Sequence, residues 1–362
     1  MVSSFTPGRP MYDTQGKRIQ AHAGGIYYLD GIYYWYGENK EFSTKGKNIW
    51  HWGVRCYQST DLYNWEDVGL LIAPDEEDPS SPVHPTSLMD RPHILFNDKT
   101  GKYVCWLKIM GHNNIQTVTI YTADSFLGPY TLVKTGYRPY GMSAGDFYLS
   151  KDAVTGKAYY YFDKIHTSII SAELTDDYLS VSENYTVHYE RDFPPYAREA
   201  PVHFIRKGKH YLVTSGITGY KPNPSEVAVG GGYLGPFTEL GDLHPKDETR
   251  TSYGSQISEI FNVVGTDLYI AMGDRWLPDM KLVKDASKPY MDQYEKSLKN
   301  LARFISKERV QEMIRKEKKV KRKIKIDNCN TAMADYVWLP VRFDGDRPII
   351  EWYDEWKLED FI

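Results

Sequence analysis

Short apolar strands alternate with polar turns along most of the chain, and the alternation recurs five times. The five stretches are "GGIYYLDGIYYWYGE", "RPHILFNDKTGKYVCWLK", "DFYLSKDAVTGKAYYYF", "APVHFIRKGKHYLVTS" and "SEIFNVVGTDLYIAMGD". Each reads as a strand, a glycine turn and a tyrosine-rich strand, the pattern of a β-hairpin. With Tyr34, Tyr103, Tyr159, Tyr211 and Tyr269 as anchors, the spacings are 69, 56, 52 and 58 residues. Further strand signals lie between them: "VRCYQSTDLYNWEDVG", "TIYTADSFLGPYTLV", "IISAELTDDYLSVS" and "EVAVGGGYLGPFTEL". Two hairpins per repeat make a four-stranded sheet, and five such sheets around an axis make an all-β, five-bladed β-propeller. An irregular pair of β-sandwiches is the alternative.

One segment breaks the rhythm. Residues 281–328 hold 16 Lys+Arg against 7 Asp+Glu, a net of +9 that leaves the remainder of the chain at −13. Leu298, Leu301, Ile305, Val310, Met313 and Ile314 recur at helical spacing and predict a basic amphipathic helix. It is expected to lie on the flank of the last blade, with a partner-docking or oligomer-forming helix as the second reading. "DYVWLPVRFDGDRPIIEWYDEWKL" then returns to the β-pattern and completes that blade. Residues 1–362 are thus read as one propeller domain with 281–328 inserted in it.

Composition narrows the function classes. A net charge of −4 gives no general attraction to nucleic acid or anionic membrane, and the basic segment has almost no interleaved aromatics. Thirty tyrosines and nine tryptophans suit β-structure and sugar-stacking surfaces, because such rings offer a flat apolar face and a polar tip. Cys56, Cys105 and Cys329 are widely spaced and suggest neither a disulfide framework nor a zinc site. The N-terminus lacks the apolar core of a signal peptide, and no run reaches membrane-spanning length. A cytoplasmic protein is expected from the sequence as it stands, or a secreted one where a leader has been removed.

In a propeller the innermost strands converge on a central channel, so residues at their starts share one pocket. Asp90 opens the second repeat, Asp146 the third, Glu199 the fourth and Gln256 the fifth, while Glu38 ends the tyrosine strand of the first. Neighbouring carboxylates repel and share protons, so such a cluster points to function. Each acid singly could instead be solvated or paired with Arg, as Asp90 with Arg91. Trp35, Tyr253 and Trp276 lie beside these positions and could stack on a sugar face or simply fill a blade. His22 and His51 could bond sugar hydroxyls or serve structure. "YKPNP", Tyr220 to Pro224, reads as a rigid loop.

The stretches "IQAHAGGIYYLDGIYYWYGENK", "MDRPHILFNDKTGKYVCW", "REAPVHFIRKGKHYLVTSGITGYKPNP" and "SYGSQISEIF…MGDRW" resemble glycoside hydrolase family 43, in particular its exo-β-1,3-galactanase branch. The resemblance covers about residues 15–280, resumes near 335–357 and excludes the basic segment. It implies a five-bladed propeller that hydrolyses glycosidic bonds with inversion. By resemblance Glu199 is the general acid and Asp90 the carboxylate that tunes and positions it. The family's usual base is an aspartate early in the first blade, where this chain reads "QAHAGGIYY" with no carboxylate. The galactanase branch shares that absence, and there a glutamine matched by Gln256 takes the base's place. Two positions depart from the pattern: Asp90 stands where relatives carry Glu, and Gly145 stands where an Arg precedes the acid matched by Asp146.

The chemistry leaves the base open. Glu199, set among apolar residues near Asp90, is expected to stay protonated and donate to the leaving oxygen. Gln256 can take a proton only as the imidic tautomer. Otherwise it holds the water while a carboxylate such as Glu38 supplies basicity. The expected activity is exo-release of galactose from β-1,3-linked galactan or galacto-oligosaccharides. An α-L-arabinofuranosidase or β-xylosidase and a non-catalytic carbohydrate-binding propeller are the alternatives. No cofactor is implied, with a structural ion in the central channel left open. The expected partner is a saccharide, with homo-oligomerisation through the basic helix as a further possibility.

Overall fold

The computed structural model describes residues 2–44, 46–111, 115–165, 167–191, 196–278 and 330–362. Both the helix expected over 281–328 and Cys329 lie outside the described residues. Among these residues twenty strands form five four-stranded antiparallel sheets, each taking its strands in sequence order. Blade one holds β1–β4 (His22–Leu29, Ile32–Glu38, Val54–Ser59, Glu66–Ile72), and blade two β5–β8 (Met89–Asn97, Lys102–Met110, Gln116–Ala123, Thr131–Tyr137). Blade three holds β9–β12 (Ala144–Lys151, Ala158–Lys164, Ser168–Leu174, Val181–His188). Blade four holds β13–β16 (Arg198–Arg206, Lys209–Gly216, Glu226–Gly230, Phe237–Asp242). Blade five holds β17–β20 (Gln256–Asn262, Tyr269–Arg275, Asp335–Asp344, Arg347–Ile350). The five anchor tyrosines fall on β2, β6, β10, β14 and β18, and the first strands of the blades neighbour one another in a closed ring. The fivefold propeller is therefore present.

The hairpin turns follow from their residues. Asp30-Gly31 and Lys207-Gly208 are two-residue turns with both φ values positive, from 50° to 86°. That is the type I′ geometry whose twist matches the flanking strands, and it places glycine where a Cβ would be strained.

Blades are buried on both faces, which explains the aromatic excess. Along β2, Tyr33 and Trp35 join the core between blades one and five, while Tyr34 and Tyr36 join the core between blades one and two. Because successive side chains point to opposite faces, a doubly covered strand reads as a continuous apolar run. Sheets that fan out from an axis leave wedges between them, and large flat rings fill these. Tyr159 stacks on Tyr233 at 4.2 Å, and Trp35 meets Trp338 at 4.7 Å and Trp65 at 5.4 Å. Among the described residues no strand is shared between blades, so the ring closes through side chains and the N-terminal segment. Phe5 makes a two-way backbone bridge to Trp356 (2.8 and 3.1 Å) and stacks on its ring at 4.4 Å.

The first strand of every blade carries a β-bulge near its start. In blades one, two and four the residue opening the bulge has positive φ: Ala23 (48°), Arg91 (52°) and Ala200 (51°). A bulge sharpens the twist and re-aims the side chains beside it. Here it sits at the channel mouth.

Deeper on the axis lies Glu259 of β17. Its Oε1 accepts from the Tyr148 hydroxyl of blade three at 2.6 Å. Its Oε2 rests against Gly25 of blade one, where a Cβ would come within 2.6 Å. Burial pushes this carboxyl up to about 8.

Candidate active site

The bulges bring residues from blades two to five into one polar network. Asp90 pairs across the ladder with Lys108, and their side chains meet at 2.9 Å. Lys108 Nζ also reaches Asp146 Oδ1 of blade three at 2.5 Å. The other oxygen of Asp146 takes Arg91 Nε at 3.1 Å. Arg91 Nη2 donates to Gln256 Oε1 at 3.1 Å, and Gln256 Nε2 donates to Ser215 Oγ at 2.9 Å. Ser215 is the ladder partner of Glu199. The chain of contacts thus runs from Asp90 to the residue opposite Glu199.

The charges balance locally. Burial favours the neutral form of Asp146, but Arg91 and Lys108 outweigh it and hold its carboxyl well below the usual range. Burial would likewise strip Lys108 of its proton, yet Asp146 and Asp90 keep it firmly charged. An ammonium thus stands between the two carboxylates.

Arg91 pairs with Asp146 and not, as its sequence position suggested, with Asp90. The positive φ at Arg91 turns its side chain away from the residue before it. Together Arg91 and Lys108 supply cations beside Asp146, where the sequence lacks an arginine at Gly145. A Cβ at Gly145 would lie 2.6 Å from Asp163 Oδ2, so a side chain there requires Asp163 to shift.

Gln256 has a defined orientation. A guanidinium only donates, so the Gln256 atom facing Arg91 must be the amide oxygen, and the amide nitrogen must face Ser215.

Several expected residues sit elsewhere. Glu38 is buried (1% exposed), with Oε2 2.6 Å from Lys40 Nζ and Oε1 accepting from the Arg91 backbone N–H at 2.9 Å. Burial, aided by Asp90 and opposed by Lys40, pushes it up to about 7. It props the Asp90–Arg91 bulge from below. Trp35 is wholly buried between blades one and five, because alternation on β2 points it into that seam. His22 is also fully buried, with Nδ1 3.0 Å from Asp274 and Nε2 3.2 Å from the Tyr336 hydroxyl, and burial keeps it neutral. His51 donates to the His84 carbonyl at 3.1 Å and accepts from Gly53 N–H at 2.9 Å, so both ring nitrogens serve structure. Tyr253 packs edge-on against His244 (5.3 Å) and beside Trp352 (5.6 Å), within the cluster that joins blades three to five.

Trp276 does lie at the mouth, half-buried, 5.5 Å from His22 and 5.6 Å from Tyr220. Tyr220 in turn faces Trp50 at 6.4 Å. The indole N–H of Trp50 donates to Asp90 Oδ1 at 2.8 Å. One wall of the site is therefore aromatic and the other is charged, the lining a sugar ring with one apolar face requires.

Sequence reasoning missed Lys108, Ser215, Lys40, Trp50 and Tyr220. Lys108 and Ser215 lie on recognised hairpins, but only the bulges bring them opposite Asp90 and Glu199. Trp50 and Tyr220 had no signal, because their proximity comes from the ring and not from either loop. Among the described residues no group of three or more His, Cys, Asp or Glu is placed to hold a metal ion.

The model of glycosyl hydrolases family 43 matches residues 25–271. Among solved structures, a family 43 β-1,3-galactosidase is 29% identical with a TM-score of 0.77, covering 100% of this chain and 65% of its own. An exo-β-1,3-galactanase from Clostridium thermocellum is 25% identical, TM-score 0.71, covering 98% of this chain and 66% of that one. The exo-β-1,3-galactanase of Phanerochaete chrysosporium, in a structure with β-1,3-galactotriose, is 23% identical, TM-score 0.75, with 99% and 68% covered. This chain therefore spans about two thirds of the length of these relatives. A search among curated proteins finds no match.

Proposed function

The chain belongs to glycosyl hydrolase family 43, and from that premise we propose that it is an exo-acting, inverting glycosidase releasing galactose from β-1,3-linked galactan or galacto-oligosaccharides. In this reading Glu199 protonates the leaving oxygen from blade four. Asp90, held by Lys108 and Trp50, tunes and places that acid. Gln256, on blade five, orients the water on the opposite face of the sugar. The observation that carries the reading is the fixed amide: Arg91 and Ser215 together leave Gln256 one orientation, with a second lone pair on its oxygen for a water.

An inverting hydrolase needs an acid and a water-holding group on opposite faces, roughly 6.5–9.5 Å apart when both are carboxylates. Its transition state is oxocarbenium-like, so it asks little of the nucleophile. An oriented water adds to the anomeric carbon and then gives up its proton to bulk water while Glu199 regains one, so Gln256 need not leave its amide form. Asp146, Arg91 and Trp276 line the site for the terminal sugar, with the apolar sugar face on the aromatic wall.

The test is a fresh digest of β-1,3-galactobiose followed by proton NMR. α-Galactose should appear first and then mutarotate. Glu199→Gln should slow this substrate by several orders of magnitude, and far less a galactoside whose leaving group needs no proton. β-Galactose appearing first would mean retention, and turnover of arabinan or xylan fragments alone would replace galactose in the reading.

A further inference from the structure

The aromatic wall is larger than one terminal sugar needs. Trp50 comes from the loop between β2 and β3, Tyr220 from the loop between β14 and β15, and Trp276 from the end of β18. Centroid separations of 6.4 and 5.6 Å, at tilts of 31° and 52°, make the three half-buried rings one continuous surface.

Both loops are tied down. The Trp50 carbonyl accepts from Lys40 Nζ (2.9 Å) and Ser43 Oγ (2.8 Å), and its N–H donates to Pro85 O (2.7 Å). Lys40 Nζ also lies 4.6 Å from the Trp50 ring centroid. Lys40 itself is 1% exposed, so this ammonium is built into the loop and does not solvate it. The Tyr220 loop is cinched by Asn223, which accepts from Gly216 N–H (2.6 Å) and donates to Gly216 O (2.7 Å) and Thr218 Oγ1 (2.8 Å). Rings held in place cost little ordering entropy when a ligand stacks on them.

Their side of the pocket is also defined. Ser215 pairs with Glu199, and Tyr220 rises five residues later from the same blade. A proton donor must stand at the leaving oxygen, so the leaving sugar lies towards blade four. We propose that Trp50 and Tyr220 form a second subsite, which takes the pyranose ring on the leaving side of the scissile bond by stacking on its apolar face. This rests on the assignment of Glu199 as proton donor.

The experiment compares kcat/KM of the full chain on β-1,3-galactobiose and on an aryl β-galactoside. Tyr220→Ala should lower the ratio of the two by about tenfold, mainly through KM for the disaccharide, and Tyr220→Phe should restore it. An unchanged ratio, with or without an equal loss on both substrates, overturns the subsite. A wild type that cleaves neither galactoside overturns the galactosidase reading alone. The subsite is then read by tryptophan fluorescence during titration with galactobiose, xylobiose and arabinobiose. A saturable change that Trp50→Phe removes supports it, and no saturable change with any of the three overturns it.

Discussion

Lys40 shows how much of the site depends on a residue that touches no substrate. Its ammonium joins Glu38 to the Trp50 loop, and Glu38 joins the pair to the Arg91 backbone. Lys40→Met would leave Glu38 buried without its cation, a loss of about 3–5 kcal/mol when the carboxylate stays charged. Glu38 is already pushed up to about 7 in the folded state, and without Lys40 it rises further. A raised carboxyl lends stability below its unfolded value and loses it as pH rises through the folded one. The melting-temperature deficit of Lys40→Met should therefore be small near pH 5 and widen towards pH 9. A deficit that ignores pH would show that Lys40 acts by packing alone. The sequence reading saw Glu38 as a pocket carboxylate because it could not see that the neighbouring lysine folds inward with it.

At the scale of strands, the hairpins were legible and the bulges were not. Turn glycines and tyrosine strands mark all five blades, since both follow from local backbone chemistry. In blade two, Asn97 pairs with Lys102, and an unbroken ladder would set Asp90 opposite Ile109; the bulge sets it opposite Lys108. In blade four the same slip replaces Gly216 with Ser215 opposite Glu199. The residues that complete the site were thus one position away from where alternation puts them. No glycine marks the slip at Arg91 or Ala200, so nothing local announced it. Blade five offers a test of its own. Arg275 and Asp335 are paired neighbours, so the chain leaves and re-enters this sheet at adjacent points. Excising residues 286–326 and joining the ends with a short linker should leave a folded, active propeller. Insoluble protein would show that the excised stretch belongs to the core, and a change in sedimentation mass with activity intact would give it a role in assembly.

For the whole molecule, the axis and the seam carry different loads. Glu259 binds its proton up to about pH 8, whereas in the unfolded chain it would release it near the ordinary 4.5. Between those values the folded state holds the extra proton, so this contribution falls as pH rises. Among the described residues Tyr148, Tyr36, the Ile260 N–H and the backbone at Gly25 face it, and none is a cation. Glu259→Gln should melt close to wild type at pH 5 and above it at pH 9; parallel curves would mean that the carboxyl is solvated. The seam between blades five and one has a consequence for synthesis. Every sheet is complete in sequence before the next begins, so each blade can zip as its fourth strand leaves the ribosome, without waiting for a distant partner. Phe5 is the exception. It precedes its partner Trp356 by the whole of the propeller, so the nascent chain carries an undocked aromatic segment while the blades between them are made and fastens it only when the ring is ready to shut.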